Sequence, residues 1–516
     1  MKKLFLYTIL LCTSIFVLNS CRKDFSSLNT NKINGIEFDT TGQSSLSVFQ
    51  FEKLVVKPVL KMDGVKQSDL KFEWRLNVAP GSLDYEIVGT ERDLNFEMKK
   101  IPTKADQFYQ LLYVVTDQTN DLKYITAWPV TVRNSIGEGL VIATSSDGVN
   151  SDISHIMSPL VTSNYSSESI KRNVYSAVNG KTIPGLLKQI RYTKLAAQGE
   201  IMMAISDNTI LAVKTLDYSL IGMNEDLFFT PVAGRKNDQI GDLTQIDVYI
   251  GNGRLTAVWL EINKKFGVPY DNKYTVPAHV GLNGHSNNPA VVISYYDEVK
   301  GAFVYQPAIT AWGDRNTYLL ASSPQGGFDP AAIEGKVNLA AGVTQSGDFL
   351  HILKSKTGNG IGLYIIDPGG YDANWNLTKP SPKEMVDLSG APDIQNAKRF
   401  VLLDDQKVLY YATTTKIYAV LYGSSTPAFS ERYTVSSGEE ITTLQVYRQA
   451  DYPKKPVGDP SYISTNNKQL IMSTYKGTEG KVYIMPMINL GLGNIDVPNI
   501  KVYGGFNRIS AIGTQR

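Results

Sequence analysis

Apolar residues in this chain gather in short runs and alternating stretches. They do not recur at the three-to-four-residue spacing of an amphipathic helix. Phe72-Glu73-Trp74-Arg75-Leu76 alternates apolar and charged positions, as a strand with one buried face requires. Leu54 to Leu60 predicts an early strand. Gln107 to Val115 predicts a longer one closed by Thr116-Asp117, and Tyr124 to Val132 the last of its group. Together they predict a β-sandwich over residues 33–134, with Trp74 as a core residue packed between its sheets.

From residue 135 onward the pattern changes to a recurring pair of apolar strands joined by a turn. Leu140 to Ala143 opens the series, and Ile201 to Ile205 with Thr209 to Val213 follows. Ile246 to Ile250 with Leu255 to Leu260 comes next, then Val291 to Tyr296 with Ala302 to Tyr305. Phe349 to Leu353 with Gly362 to Ile366, Val408 to Ala412 with Lys416 to Val420, and Leu470 to Thr474 with Lys481 to Met485 complete it. About seven copies with starts roughly 45 to 62 residues apart predict a β-propeller over residues 135–516, each copy supplying the inner strand pair of a four-stranded blade. Arg508 to Ile512 is placed to finish the sheet begun at Leu140 and so close the ring. A row of two or three further sandwiches is the competing arrangement. Six or eight blades also fit the spacing.

Composition supports an all-β fold. Among 516 residues there are 29 Tyr, 42 Gly and 23 Pro, which favour strands and turns. Only two cysteines occur, Cys12 and Cys21, so neither thiol catalysis nor a cysteine metal site is expected. The formal charge of +2 lacks the positive excess of a nucleic-acid binder.

The first 20 residues have the form of an export signal. Met1-Lys2-Lys3 is a short positive start, and Leu4 to Leu18 is an apolar run too short for a stable membrane span. The run ends in Leu18-Asn19-Ser20-Cys21, which resembles a bacterial lipobox, with Asn19 where a smaller residue is usual. That resemblance implies cleavage before Cys21 and lipidation of its thiol. Arg22 follows where an Asp would signal inner-membrane retention, and Arg22-Lys23-Asp24 resembles the charged export signal of Bacteroidota surface lipoproteins. The expected location is the outer membrane, lipid-anchored and facing the exterior. Residues 21–32 would form a polar tether.

The Phe72-Glu73-Trp74 strand, the Thr90-Glu91-Arg92-Asp93-Leu94 turn and Tyr113-Val114-Val115-Thr116-Asp117 resemble a PKD-type immunoglobulin-like sandwich. In this order after a lipobox, they are similar to the PKD-like lipoproteins of Bacteroidota. Such lipoproteins are encoded alongside Sus-type outer-membrane nutrient importers. The resemblance therefore implies a non-catalytic accessory or binding module of such an uptake complex, with a glycan or peptide as ligand.

Candidate chemistry is sparse. His279 and His285 share a Gly/Asn-rich loop and are either a base or ligand at a propeller mouth or two solvated loop residues. No cysteine or paired acid accompanies them as a zinc site would require, and no cofactor or metal is expected. His351 lies inside a strand as a packing residue. Asp147-Gly148-Val149-Asn150 reads as an Asp/Asn turn in preference to a calcium loop, because the alternate-residue ligand spacing is missing. Two loops combine aromatic faces with hydrogen-bonding groups, as a sugar or peptide platform would. They hold Trp312, Asp314 and Arg315 in one, and Tyr371, Asp372 and Trp375 in the other. Two other classes stay open: a propeller glycoside hydrolase or lyase using acids or histidines at the central mouth, and a protein–protein scaffold. A cluster of convergent carboxylates or a His–Tyr–Arg group in the mouth would favour the enzyme.

Overall fold

The computed structural model describes residues 35–41, 44–103, 106–163, 165–195, 199–232, 234–243, 246–257, 265–270, 273–285, 290–307, 316–374, 376–452, 457–459 and 461–516. The signal, Cys21 and the tether lie outside them. So do Trp312, Asp314, Arg315 and Trp375. The chain divides into two compact units, residues 1–133 and 134–516.

The first unit is a β-sandwich. Its larger sheet runs in the order Leu46–Phe49, Leu122–Arg133, Tyr109–Asp117, Leu70–Asn77, Tyr85–Gly89. Two small antiparallel pairs, Ile36–Asp39 with Val59–Met62 and Lys53–Val56 with Leu94–Glu97, complete it. The expected strand from Leu54 to Leu60 is therefore two strands broken at Lys57-Pro58, because proline has no N–H to give a ladder. Leu111, Tyr113 and Val115 alternate inward along their strand and join Trp74, Trp128, Leu54, Val56 and Leu94 in one core. Trp74 is fully buried, stacks on Tyr113 at 4.1 Å between centroids, and donates its indole N–H to the Glu91 carbonyl at 2.9 Å.

Among the described residues the second unit forms seven sheets of three or more strands. In the second and the fourth to seventh sheets the expected apolar pair supplies the two middle strands, with further strands on both sides. In the third, of three strands, Asp247–Gly251 is the middle strand and Arg254–Ala257 the last, with residues 258–260 of that expected strand outside the described residues. The first sheet is built from both ends of the unit. Gly139–Ser145 pairs with Asn150–Met157 on one edge and with the C-terminal strand Arg508–Gln515 on the other, Ile142 facing Ile512. The innermost strands of the second to seventh sheets are Gln189–Leu195, Asn237–Asp242, Gly281–Leu282, Lys336–Val343, Arg399–Leu402 and Glu440–Val446. Arg508–Gln515 is the innermost strand of the first.

Burial explains why these strands read as continuous apolar runs. Successive side chains point to opposite faces, and here each face meets a neighbouring sheet. Val408 and Tyr410 pack with Leu470 and Met472 of the seventh sheet, whereas Leu409 and Tyr411 pack with Leu350 and Ile352 of the fifth. Similarly, Val141 packs with Met202 of the second sheet while Leu140 and Ile142 pack with Ile471 of the seventh. The apolar layers thus run around a closed ring, a seven-bladed propeller.

Polar latches tie neighbouring innermost strands together. The Gln189 amide exchanges two hydrogen bonds with the backbone of Ile240, at 2.7 and 2.8 Å, and Gln239 does the same with Val280, at 3.4 and 3.0 Å. Asn338 donates to the His279 carbonyl, the Gln345 N–H to the Asp404 carbonyl, and Arg399 to the Thr442 carbonyl. Arg508 pairs with Glu440, and Gln515 donates at 2.8 Å to the carbonyl of Thr215, which follows the third strand of the second sheet, Ile210–Lys214, so the first sheet is tied to both its neighbours. A six-residue helix, Val174–Asn179, stands among the described residues where the apolar pattern predicts none. Among the described residues no helix is long and apolar enough to cross a membrane.

Candidate functional site

The innermost strands surround a central cavity of 460 Å³. Their C-terminal ends gather polar side chains at one mouth. His285 follows Gly281–Leu282, Gln345 follows Lys336–Val343, Asp404 follows Arg399–Leu402, and Arg448 and Tyr452 follow Glu440–Val446. A strand buried on both faces must end in residues that tolerate water, so chemistry collects at these exits.

Asp404 is the hub, its side chain wholly buried. The Asn467 amide donates to Asp404 Oδ1 and to the Tyr452 hydroxyl, both at 2.7 Å. Gln345 donates to the same hydroxyl at 2.7 Å. His285 Nε2 lies 3.4 Å and Arg448 Nη2 3.3 Å from Asp404 Oδ2. Arg448 is held twice more, through Nε to Asn467 Oδ1 at 2.9 Å and through Nη2 to the Leu402 carbonyl at 3.4 Å. Its guanidinium lies over the Tyr452 ring, 5.7 Å from the centroid. The His285 ring meets the same tyrosine edge-on at 6.1 Å. Across the mouth Arg191 pairs with Asp242, and Arg516 pairs with Asp451 at 3.0 Å.

The electrostatics follow from this packing. Burial lowers the His285 pKa, against the opposing pull of Asp404, so the imidazole is neutral at pH 7. Burial, reinforced by the Asp404 carboxylate, pushes the Tyr452 phenol up to about 12. The mouth therefore holds a neutral imidazole, a protonated phenol and an oriented guanidinium. Among the described residues no group of three His, Cys, Asp or Glu side chains is arranged to hold a metal ion.

A second cavity, of 220 Å³, lies beside the first and shares His285 with it. Its wall includes Tyr371, a phenol 39% exposed, together with Ser346 and the glycines Gly347, Gly369 and Gly370. Tyr371 stands on a small hairpin, Gly370–Tyr371 against Leu377–Thr378. Asp372 turns that hairpin, accepting from the Asn374 and Asn376 N–H groups at 2.8 Å and the Asn376 amide at 3.0 Å. These bonds hold its carboxyl below the ordinary aspartate value.

The structure thus brings Tyr371 and His285 to one cavity and gives Asp372 a turn-forming position. His279 precedes the strand that His285 follows, and its side chain is exposed outside both cavities. Trp312, Asp314, Arg315 and Trp375 lie outside the described residues. Elsewhere, Asp147 accepts from the Val149 N–H at 2.8 Å and the Asn150 N–H at 2.7 Å, a simple turn. His351 is buried and contacts Ser294 Oγ at 3.1 Å. Sequence reasoning missed Gln345, Asp404, Arg448, Tyr452 and Asn467. Four of them share one signal, a polar or aromatic group within a few residues of an innermost strand's end.

The class of protein that these strands define is a sandwich followed by a seven-sheet ring. A family model described as PKD-like family matches residues 22–186, about a third of the chain. No curated protein matches the sequence. Among solved structures, a quinonprotein alcohol dehydrogenase-like protein from Bacteroides thetaiotaomicron is similar over 94% of this chain and 99% of its own, at 11% identity and a TM-score of 0.44. An ACO/RPE65 chimera covers 91% of this chain and 97% of its own, at 9% identity and a TM-score of 0.32. PorZ, a surface component of the type-IX secretion system of Porphyromonas gingivalis, is matched over 88% of this chain and 51% of its own, at 8% identity and a TM-score of 0.25. At these scores the ring rests on its own strand pairings.

Proposed function

We propose that this chain is a surface lipoprotein, anchored to the outer membrane through Cys21, that binds an oligosaccharide as a non-catalytic accessory of a Sus-type nutrient importer. The observation that carries the binding reading is the shared wall of the two cavities. His285 lies between them, Tyr452 flanks it in the central mouth, and Tyr371 flanks it in the outer cavity. Two aromatic faces separated by hydrogen-bonding groups suit a chain of sugar rings, whose C–H faces pack on aromatics while their hydroxyls exchange hydrogen bonds. A peptide ligand would call for apolar side-chain pockets, whereas the outer cavity is walled largely by glycines and polar groups. The anchor and the importer partnership are supported by the lipobox resemblance and the PKD-like match.

The test is a pull-down of the lipidated protein from its native outer membrane, with glycan and peptide arrays on the purified chain. Stoichiometric recovery of an importer and binding to glycans on the array are expected. Recovery of the protein alone would overturn the accessory role. Exclusive binding to peptides or proteins would overturn the saccharide reading. For the anchor, Cys21→Ala should release the protein from the membrane fraction; continued membrane retention would overturn lipid anchoring there.

A second reading is favoured by one observation. His285, Tyr452 and Arg448 converge in the mouth, and a neutral imidazole beside a protonated phenol and a guanidinium is a donor set for acid–base cleavage of a glycosidic bond. Incubation with oligosaccharides and analysis for shortened products decides it. Accumulating product that is lost in His285→Ala would make the chain a hydrolase or lyase.

A further inference from the structure

Each innermost strand is the edge of its sheet. One side pairs with the next strand outward, and the other turns alternate N–H and C=O groups to the axis. Its side chains stand toward the neighbouring sheets, as Val401, Leu444 and Val446 do in the layer between the sixth and seventh, so the edge that meets the axis is backbone. Gln189, Gln239 and Arg448 take the groups of Ile240, Val280 and Leu402. Much of the remaining cavity wall is such an edge: Ala340 to Val343, Phe400 to Val401, Leu444 to Val446 and Ile512 to Thr514. Ala340, Ala341 and Gly342 keep the wall low, so a ligand reaches the peptide groups of the fifth sheet without meeting a long side chain.

The charges at this mouth are closed against one another. Arg191 pairs with Asp242, Arg448 with Asp404 at 3.3 Å, and Arg516 with Asp451 at 3.0 Å. His285 is neutral at pH 7 and the Tyr452 phenol keeps its proton. A charged ligand entering here would leave water without gaining a counter-ion, unless it broke a pair. An anion would also face backbone carbonyls, which it cannot use. A hydroxyl both donates and accepts, so it matches N–H and C=O alike.

Resting on the saccharide-binding reading above, we infer that the central cavity seats a neutral sugar chain, its hydroxyls bonded to the axis-facing backbone of the innermost strands and one ring face against Tyr452. Sugars carrying a carboxylate or a sulfate are refused. The selectivity comes from the closed ion pairs, and the binding itself comes from peptide groups that no side-chain pattern in the sequence announces.

The test is calorimetry on the full chain with three oligosaccharide sets of equal length: neutral hexose oligomers, uronate oligomers and sulfated hexose oligomers. The neutral set should bind about tenfold or more tightly than either acidic set, the cost of leaving one charge without a partner. Its affinity should change little as salt is raised. Asp404→Asn removes the carboxylate that pairs with Arg448, which lines the cavity, and leaves the cavity wall itself intact. It should strengthen binding of at least one acidic set by about threefold or more, a gain that misfolding cannot mimic. No gain in a folded variant would overturn the closed pairs as the source of selectivity. The wild-type comparison needs no variant and decides the matter alone if Asp404→Asn fails to fold. Equal or tighter binding of an acidic set would overturn the neutral seat and leave the saccharide reading standing. Binding of none would overturn both.

Discussion

Asn467 and Asp404 meet across the seam between the sixth and seventh sheets, the Asn467 amide donating to Asp404 Oδ1 at 2.7 Å. Asn467 sits at a φ of 57°, a left-handed conformation that asparagine tolerates better than most residues, and this turn aims its side chain. One amide thereby ties a buried carboxylate, the Tyr452 hydroxyl and Arg448 into one unit. Asp404 in turn approaches His285 from a loop two sheets away around the ring. The mouth is therefore a property of the closed propeller, since no single sheet contains it.

Replacing that carboxylate isolates its contribution. Asp404→Asn keeps the shape but removes the charge facing Arg448 and His285. Arg448 and His285 approach Asp404 Oδ2 without hydrogen-bond geometry, so the loss is that of a part-exposed ion pair and of a charge-assisted Asn467 hydrogen bond turned neutral, about 1–2 kcal/mol. Urea unfolding of the full chain measures it. An unchanged midpoint would mean that the cluster adds nothing to stability and that Arg448 is oriented by Asn467 and the Leu402 carbonyl alone.

Acid should destabilise the chain well before its carboxylates titrate. His155 and His351 are both fully buried, and burial pushes each down to about 3, in His155 despite a backbone contact with Gly137. The unfolded value is near 6.5, so below that pH the unfolded chain takes up protons that the folded chain refuses. Stability should be level above pH 7 and fall as pH drops through 6.5 toward 4, with His285 adding to the same limb. Each buried histidine contributes at most about 1.4 kcal/mol per pH unit. His155→Leu should make the acid limb shallower, as read from urea midpoints at pH 7, 6 and 5. A parallel limb in the variant would show that His155 takes up its proton in the folded state as readily as in the unfolded.

Ring closure leaves no room at Gly513. A Cβ there would lie 2.5 Å from the Ile190 carbonyl oxygen, backbone of the neighbouring innermost strand, which cannot turn aside as a side chain can. Gly513→Ala should cost about 1–3 kcal/mol, and Gly513→Val more, through overpacking. Thermal melting of the full chain tests this. An unshifted melting temperature in the valine variant would mean that the first and second sheets stand further apart at the axis than the strand pairings imply.

Much of the ring was legible because its strands are buried on both faces, so each middle strand reads as an unbroken apolar run such as Val408 to Ala412. Closure was legible too: Arg508 to Ile512 repeats the apolar character of Leu140 to Ala143 and pairs with it. The innermost strands were harder to see. Gly281–Leu282 and Lys336–Val343 face a polar channel along one edge and carry glycine, alanine and asparagine where the middle strands carry isoleucine and leucine. The mouth was least legible of all. Asp404 and Asn467 are 63 residues apart, and Asp404 and His285 lie on loops of different sheets, so no local spacing joins them. His285 and Tyr371 each carry recognisable chemistry in the sequence, but only the ring gives them a shared cavity. Pro58 was a visible sign that the early strand would break, and it outweighed the apolar run around it.

The sandwich offers a separate test, in which bulk and hydrogen bonding divide. Trp74 is fully buried, stacked on Tyr113 at 4.1 Å and beside Trp128 at 6.0 Å, and its indole N–H is satisfied by the Glu91 carbonyl at 2.9 Å. Trp74→Ala should cost about 3–5 kcal/mol, because the surrounding rings cannot collapse into the space. Trp74→Phe keeps an aromatic stack but leaves the Glu91 carbonyl without its donor. It should cost about 1–3 kcal/mol from that loss and the smaller ring. Near-ultraviolet circular dichroism during urea unfolding follows both. If the phenylalanine variant is as unstable as the alanine one, the tryptophan acts mainly by anchoring the Thr90 to Leu94 turn through Glu91. If it is nearly as stable as the wild type, ring packing against Tyr113 is what holds the sandwich, and the turn is free to vary.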